Sequence, residues 1–215
     1  MDSEIPPAPL TPPAPPAPWG AAPQPVLDLP RGMLLRPWRE ADAPVLVAAY
    51  EDPGIRHWNR PEPETPGTAA ARIARWNRRW TRQEAALWAV SPGPDSPAVG
   101  LIGLGDFDPA GAAAEFLYWL LPDGRGRGVV TQGVAAVAEW AFRDAGLHRL
   151  RICHSVANPA SCAVALKAGF PLEGTMRGAL RHADGWHDEH LHARLATDAR
   201  PGAPGGGMAG AGPRR

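Results

Sequence analysis

Three glycines alternate with two arginines in the stretch "DGRGRGVVT", residues 123–131. Glycine lets the backbone approach a ligand without a Cβ clash, and arginine adds charge-assisted hydrogen bonds to an anion. An apolar, strand-like segment precedes the stretch and a helical pattern follows it. The first N–H groups of that helix have no backbone partner, so they would point at the same ligand. The stretch therefore predicts an anion site, and we interpret it as a pyrophosphate site.

Two better-known phosphate-binding motifs do not match this stretch. The third glycine comes too early for G-x-G-x-x-G, and no acidic ribose-binding residue follows. The G-K-[ST] end of a P-loop is also missing. Nucleotide- or NAD-dependent chemistry is therefore disfavoured. Taken alone, the stretch is equally compatible with a mobile turn that carries two solvated arginines.

Other residues with chemical potential flank this loop. Glu115 opens the strand-like segment "EFLYWLL", and "NPAS" places Asn158 and Ser161 at the start of a later helix, where they also suit ordinary capping. Cys153 and Cys162 are nine residues apart and belong to no C-x-x-C pair. We interpret both cysteines as packing residues rather than as nucleophiles or a disulfide.

A histidine-rich segment, "RHADGWHDEHLHARL", covers residues 181–195. His190 and His192 would share one face of a strand, as a two-ligand start of a metal site requires. No third ligand is fixed by the spacing, so we expect no metal. The segment is instead interpreted as part of a substrate pocket.

The elements that must position these residues follow from hydrophobic periodicity and from turn residues. The pattern predicts a strand at 33–38, helices at 40–52 and 68–80, and strands at 84–91, 98–107 and 113–121. A helix after the glycine loop, a strand at 147–155, a helix at 158–168 and strands at 172–177 and 187–195 complete the order. Pro53 and Gly54 are expected to end the first helix. This order predicts an α/β fold with a mixed sheet, not a doubly wound one.

The two ends of the chain differ in composition from the middle. Residues 1–30 are rich in proline and alanine, which predicts a disordered arm, or an extension preceding a start at Met33. Residues 198–215 read as a flexible Gly/Pro-rich tail. The remaining residues, 31–197, are predicted to form one domain, as the length of 215 residues allows.

The overall charge and hydropathy exclude several classes of partner. The chain carries 22 basic and 22 acidic residues, so nucleic acid and anionic membranes are not expected as partners. No apolar run reaches the length of a membrane span, and the N-terminus lacks the features of a signal peptide. With only two cysteines, the chain is expected to be cytoplasmic.

Three segments stand in one order with short gaps: "YWLLPDGRGRGVVTQGV", "HSVANPASCAVALKAGF" and "LEGTMR". Together they resemble the GNAT superfamily of N-acetyltransferases, and more narrowly its RimJ/RimL-like branch of ribosomal-protein N-terminal acetyltransferases. The resemblance covers about residues 33–195. It implies a mixed, largely antiparallel central sheet flanked by helices, with a splayed strand pair that binds acyl-CoA.

The resemblance implies acetyl-CoA as the cosubstrate, with no metal. In this family the loop reads R-x-x-G-x-G/A, and Val130 departs from the last position of that pattern. The cofactor-binding residues that the resemblance implies are Tyr118, Trp119, Leu120, Arg125, Gly126, Arg127, Gly128, Val129, Val130, Thr131 and Asn158.

The resemblance also implies roles for the flanking residues, in a direct attack within a ternary complex. Glu115 matches the glutamate of the family's E-x-G-Y-W pattern and is the expected base, although Leu117 replaces the usual glycine. Asn158 and Ser161 match its N-x-x-S, which implies that Asn158 binds pantetheine and Ser161 acts as acid or orienting group.

The amine acceptor stays open in the sequence. The resemblance favours a protein N-terminal α-amine, and the alternative acceptor is a small-molecule amine such as an amino acid, a polyamine or an aminoglycoside. A non-catalytic acyl-CoA-binding module is a further possibility. The oligomeric state is expected to be a monomer or a homodimer.

Overall fold

A computed structural model of the chain describes residues 18–199. The strands are β1 (Leu27–Asp28), β2 (Leu34–Pro37), β3 (Ala86–Ser91), β4 (Gly100–Asp108), β5 (Ala113–Leu120), β6 (Arg149–Ser155), β7 (Leu172–His182) and β8 (Gly185–Leu195). The helices are α1 (Ala43–Glu51), α2 (Pro53–Asn59), α3 (Pro66–Thr81), α4 (Val129–Arg143) and α5 (Pro159–Lys167).

The eight strands form one sheet in the order β1-β2-β3-β4-β5-β6-β8-β7. Every neighbouring pair is antiparallel except β5 and β6, which run parallel. A parallel pair needs a crossover connection, and α4 supplies it. The predicted fold class, a mixed and largely antiparallel sheet flanked by helices, is confirmed.

Helices cover both faces of the sheet. One apolar cluster joins α4 and α5 to one face, and a second joins α1, α2 and α3 to the other. All six residues of β3 are buried, with Trp88 and Val90 in the first cluster and Leu87 and Ala89 in the second. Alternate side chains of a central strand thus supply both cores.

The helix α2 was not predicted, because Pro53 and Gly54 were interpreted as the end of α1. They instead begin a helix. The Asp52 carboxylate accepts a hydrogen bond from the Ile55 N–H at 2.8 Å, and Pro53 occupies the first turn. Asparagine or aspartate before a proline is a typical helix start, so the local signal was present but misinterpreted.

The predicted boundary of the folded domain at residue 31 is wrong for residues 18–30, which are folded onto the core. Trp19 is buried, and Trp80 donates its indole N–H to the Ala22 carbonyl at 2.8 Å. Trp88 donates its indole N–H to the Pro25 carbonyl, also at 2.8 Å. Residues 1–17 of the predicted arm and 200–215 of the predicted tail lie outside the described residues, and their assignment stays a prediction.

Within residues 18–199, no helix is both long and apolar enough to cross a bilayer.

Candidate active site

The parallel pair β5–β6 separates along its length. Pairing is confined to Ala113, Ala114 and Glu115 of β5, opposite residues 149–151 of β6. Beyond Glu115, β5 pairs only with β4, and β6 pairs only with β8. The edge of residues 116–120 that faces β6 therefore presents backbone N–H and C=O groups that a peptide-like ligand can satisfy.

The helix α4 begins directly beyond this opening. Gly128 precedes it in the left-handed region at φ 70°, and no side chain caps the helix. Among residues 18–199, nothing accepts a hydrogen bond from the backbone N–H groups of residues 126–131. These donors, together with the positive end of the helix dipole, form an anion-binding surface.

The separated strands and the start of α4 border one cleft of about 630 Å³. Its opposite wall is built by α2 and by the hairpin of β7 and β8. Arg60 donates to the Arg181 carbonyl at 2.7 Å, and His182 donates to the His57 carbonyl at 2.8 Å. These bonds connect α2 to β7, so residues more than 100 positions apart enclose one space.

Most of the residues that the sequence singled out meet in this cleft. Those lining it are Glu115, Tyr118, Trp119, Leu120, Arg125, Gly126, Gly128, Val129, Val130, Thr131, Asn158 and Ser161. Arg127 does not line the cleft; it lies at a separate, smaller depression beside Pro30 and Met33. The side chains of Arg125 and Arg127 thus point to opposite sides of the loop. The sequence alone does not determine these directions.

Arg125 lines the cleft but is already engaged. Its Nε donates to the Leu120 carbonyl at 2.9 Å, and its Nη2 contacts Asp52 at 3.0 Å. Burial alone would raise the pKa of Asp52, but the bonds from Ile55 and Arg125 outweigh it and lower that pKa. Arg125 thus fastens the glycine loop to the start of α2.

Glu115 lies at the last position of β5 that pairs with β6. Its Oε2 accepts a hydrogen bond from Arg151 Nε at 2.5 Å, and about a quarter of its side chain is exposed. Arg151 therefore orients the carboxylate and occupies one of its oxygens.

Glu189 of β8 lines the same cleft and was not among the predicted catalytic residues. Within the described chain, its carboxylate forms no hydrogen bond or ion pair. Burial raises the pKa of Glu189, and the nearby charge of Glu115 raises it further. The sequence placed Glu189 only within a histidine-rich segment, since the pairing of β6 with β8 is what brings it to the cleft.

The helix α5 contributes Asn158 and Ser161. The Asn158 side chain caps the helix by accepting from the Ser161 N–H at 3.1 Å. The Tyr118 hydroxyl is buried beside Ser161 without forming a regular hydrogen bond. Burial raises the pKa of Tyr118 to about 12, so the phenol stays protonated at neutral pH. Two hydroxyl donors thus lie together on one side of the cleft.

Cys153 also lines the cleft but is a poor nucleophile. Burial raises the pKa of its thiol to about 12, and the charges of Glu115 and Glu189 add to the shift. Because the thiolate is the reactive form, this agrees with the interpretation of Cys153 as a packing residue.

The family model for the acetyltransferase (GNAT) domain matches residues 33–171. The ribosomal-protein-serine acetyltransferase of Escherichia coli (strain K12) is 34% identical over 97 residues, covering 45% of this chain and 54% of that protein. YdaF of Bacillus subtilis (strain 168) is 32% identical over 118 residues, 54% of this chain and 64% of that protein. The chain thus spans less than two thirds of these two relatives.

Solved structures show the same fold at lower identity. A RimL ribosomal L7/L12 α-N-protein acetyltransferase in complex with coenzyme A has a TM-score of 0.71 at 21% identity, covering 80% of this chain and 98% of that one. The ribosomal-protein-S5-alanine acetyltransferase of Vibrio fischeri has a TM-score of 0.71 at 19% identity, covering 82% and 99%. Because the family model covers residues 33–171, the chain belongs to the GNAT acetyltransferase family of N-acyltransferases, and it is similar to ribosomal-protein acetyltransferases of the RimL kind.

Proposed function

We propose that this protein transfers an acetyl group from acetyl-CoA to the N-terminal α-amine of a protein, by direct attack in a ternary complex. One observation carries the proposal. A separated strand edge and an uncapped helix start border a single cleft that also holds an unpaired carboxylate and two hydroxyl donors.

The cleft suits coenzyme A in two separate ways. The free N–H groups of residues 126–131 suit the pyrophosphate, because anions bind at uncapped helix starts. The edge of β5 at residues 118–120 suits the amide groups of the pantetheine arm. The side chain of Arg127 makes no contribution, because it lies at the smaller depression beside Pro30 and Met33 and not in the cleft. When bound, acetyl-CoA supplies an acetyl group activated as a thioester.

Glu189 is the carboxylate best placed to take a proton from the amine. It lines the cleft without a partner, whereas one oxygen of Glu115 is occupied by Arg151. Both carboxylates also attract a cationic amine into the cleft. Glu115, the base that the sequence predicted, then orients the acceptor amine through its remaining oxygen.

Ser161 and Tyr118 are the donors available to a leaving thiolate. The Ser161 N–H is held by Asn158, which fixes the first turn of α5. The Tyr118 hydroxyl is buried beside Ser161 and stays protonated, so it has a proton to donate. Ser161 keeps the role of acid or orienting group, and Tyr118 supplies a second proton donor beside it.

The choice of a protein N-terminus follows from the relatives. The Escherichia coli relative is named for a ribosomal protein's serine, and the RimL structure for the α-amine of L7/L12. The cleft is open to solvent, as an extended peptide requires.

The test is acetyl transfer by the full chain to synthetic peptides with a free N-terminal serine or alanine. CoA release and mass spectrometry should show one acetyl group on the α-amine. The matched control is each peptide with its N-terminus formylated and its internal lysine free. Acetylation of that lysine, or of polyamines and amino acids alone, would contradict the assigned acceptor.

A parallel titration of the same protein with acetyl-CoA separates two failures. Saturable binding without CoA release from any amine would indicate an acyl-CoA-binding module. No binding by folded protein would remove the cofactor assignment itself.

A further inference from the structure

A cluster of nitrogen- and sulfur-bearing side chains adjoins the cleft, which one of them, His154, also lines, and the cluster has no role in the proposed acyl transfer. It consists of His154 on β6, Cys162 on α5, and His190 and His192 on β8. One potential ligand atom from each residue lies within 4.8 Å of all the others. The sequence indicated only the pair on β8; the fold supplies two further ligands.

Strand register explains why these residues meet. His154 lies directly opposite His190 in the antiparallel pairing of β6 with β8, so both side chains stand on one face of the sheet. His192 is two residues further along β8 and shares that face. The helix α5 packs over it and brings Cys162 Sγ to 3.9 Å from His192 Nε2.

Hydrogen bonds fix which nitrogens carry a proton. His192 Nδ1 lies 3.0 Å from the Phe170 carbonyl, and His154 Nδ1 lies 2.8 Å from the Ser155 carbonyl. A carbonyl only accepts, so each Nδ1 is protonated and each neutral ring has its lone pair at Nε2. This is the outer-shell arrangement that orients histidine ligands of metals.

Two ring nitrogens of this cluster have no hydrogen-bond partner within residues 18–199. His154 is only 6% exposed, and its Nε2 is buried without a partner within residues 18–199. His190 Nδ1 is likewise buried and unpartnered. The single thiol proton of Cys162 can serve one acceptor at most. Buried polar atoms left without partners are costly, and a bound cation would satisfy them together.

We propose that His154, Cys162, His190 and His192 bind one zinc-class divalent metal ion in a closed tetrahedral site. Three imidazoles and one thiolate are a ligand set that suits zinc. At ordinary zinc bond lengths the ligand atoms stand about 3.5 Å apart, so side-chain shifts of about 1 Å close the site. Cys162 releases its thiol proton to solvent on binding.

The site has a structural consequence. It would attach α5 to β6 and β8 through bonds to Cys162 on one side and to three histidines on the other. Because α5 carries Asn158 and Ser161, the ion would hold one wall of the cleft in place. Four protein ligands leave no open position, which is typical of a structural rather than a catalytic ion.

The test uses the full chain without a histidine tag, purified without added metal. Elemental analysis should find about one equivalent of zinc per chain, as expected for a closed structural site. After removal of the metal by a chelator, Co²⁺ should restore one equivalent. It should also produce the visible absorption of a tetrahedral Co²⁺ ion and a thiolate-to-cobalt charge-transfer band.

The two cysteines provide a matched pair of variants. Cys162→Ser should abolish the charge-transfer band and weaken zinc binding by more than the 10–100-fold typical of outer-shell changes. Cys153→Ser should leave both unchanged, because Cys153 is the neighbour of His154 on β6 but does not belong to the cluster. His190→Asn should lose the tetrahedral spectrum while Cys162 is intact.

Thermal unfolding gives a readout that does not depend on activity. Chelation should lower the Tm of the wild type and leave that of Cys162→Ser unchanged. A folded wild type that binds neither zinc nor Co²⁺ at stoichiometric concentration would overturn the proposal. So would a charge-transfer band that survives in Cys162→Ser.

Discussion

At the scale of single residues, Glu115 and Glu189 are the two candidates for the general base. Glu115 is held by Arg151, and Glu189 is unpaired in the cleft. We expect Glu189→Gln to lower kcat about 100-fold, within the range that general-base removal produces, while the Kd for acetyl-CoA is unchanged. Steady-state kinetics with the best peptide and calorimetry with acetyl-CoA measure the two quantities.

Glu115→Gln is the matched variant for this comparison. It removes a charge from the same cleft but leaves Glu189 in place, so kcat should fall only severalfold. A larger loss for Glu115→Gln than for Glu189→Gln would return the role of base to Glu115.

The glycines of the loop make a second prediction at this scale. Gly126 and Gly128 have φ values of 79° and 70°, a region that other residues adopt at a cost of about 1–2 kcal/mol. An added Cβ at Gly126 meets nothing within 4 Å, so backbone strain is the only local penalty. We expect Gly126→Ala and Gly128→Ala to shift the N–H groups and weaken acetyl-CoA binding about tenfold or more by calorimetry.

Gly32→Ala is the control for this strain. Gly32 has a φ of 75°, and its added Cβ also meets nothing within 4 Å. The Gly32→Ala variant should lose about as much unfolding free energy as the two loop variants, without a change in the Kd for acetyl-CoA. If all three variants bound acetyl-CoA like the wild type, the loop would not be the pyrophosphate site.

At the scale of elements, one buried ion pair connects β2 to the turn before α1. Arg36 and Asp42 are both nearly inaccessible, and two hydrogen bonds of 2.7 and 2.8 Å join them. Removing one partner of a buried pair costs about 3–5 kcal/mol, because the other charge is left uncompensated. We expect this loss of unfolding free energy for Asp42→Asn in urea at pH 7, while Asp95→Asn, which alters an exposed carboxylate, should change little.

The same pair predicts a pH dependence. Burial alone would raise the pKa of Asp42, but hydrogen bonds from Arg36, Arg39 and Ala98 outweigh it and lower the pKa below 3.8. A lowered folded-state pKa stabilises the protein above the unfolded value and loses that contribution as the pH falls through the folded value. The stability gap between wild type and Asp42→Asn should therefore narrow below about pH 3.8. A gap of constant size would contradict the assignment.

Elements were predictable where the sequence pattern is local. The helix α5 could be located because Asn158, Pro159 and Gly169 mark its ends. The helix α2 was missed because Pro53 is compatible with both an end and a start, and only the capping bond from Asp52 decides between them.

The candidate site was likewise predictable only where its residues form a local sequence pattern. The glycine loop has its own sequence signature, so it could be identified without the fold. Glu189 and the partners of His190 depend on the pairing of β6 with β8 across more than 30 residues, which no local pattern encodes. The side to which Arg127 points is likewise a property of the folded loop.

At the scale of the whole molecule, an N-terminal segment and a cluster of tryptophans complete the core. Trp19 packs against Trp80 at 4.6 Å and Trp140 at 5.6 Å between ring centroids. These rings come from the chain before β1, from α3 and from α4. The segment before β1 therefore joins helices on the two sides of the sheet and belongs to the folded unit.

This arrangement predicts a stability loss far from the cleft. Trp19→Ala should lower the unfolding free energy by about 3–5 kcal/mol, as large aromatic truncations in a core do. Urea unfolding followed by far-UV circular dichroism measures it. Trp186→Ala is the matched control, because Trp186 is 68% exposed and its truncation should cost little.

A chain that begins at residue 31 should be destabilised at least as much as Trp19→Ala, since it also loses the acceptors of the Trp80 and Trp88 indole bonds. Equal stability of that shortened chain and the full chain would mean that the core closes without this segment.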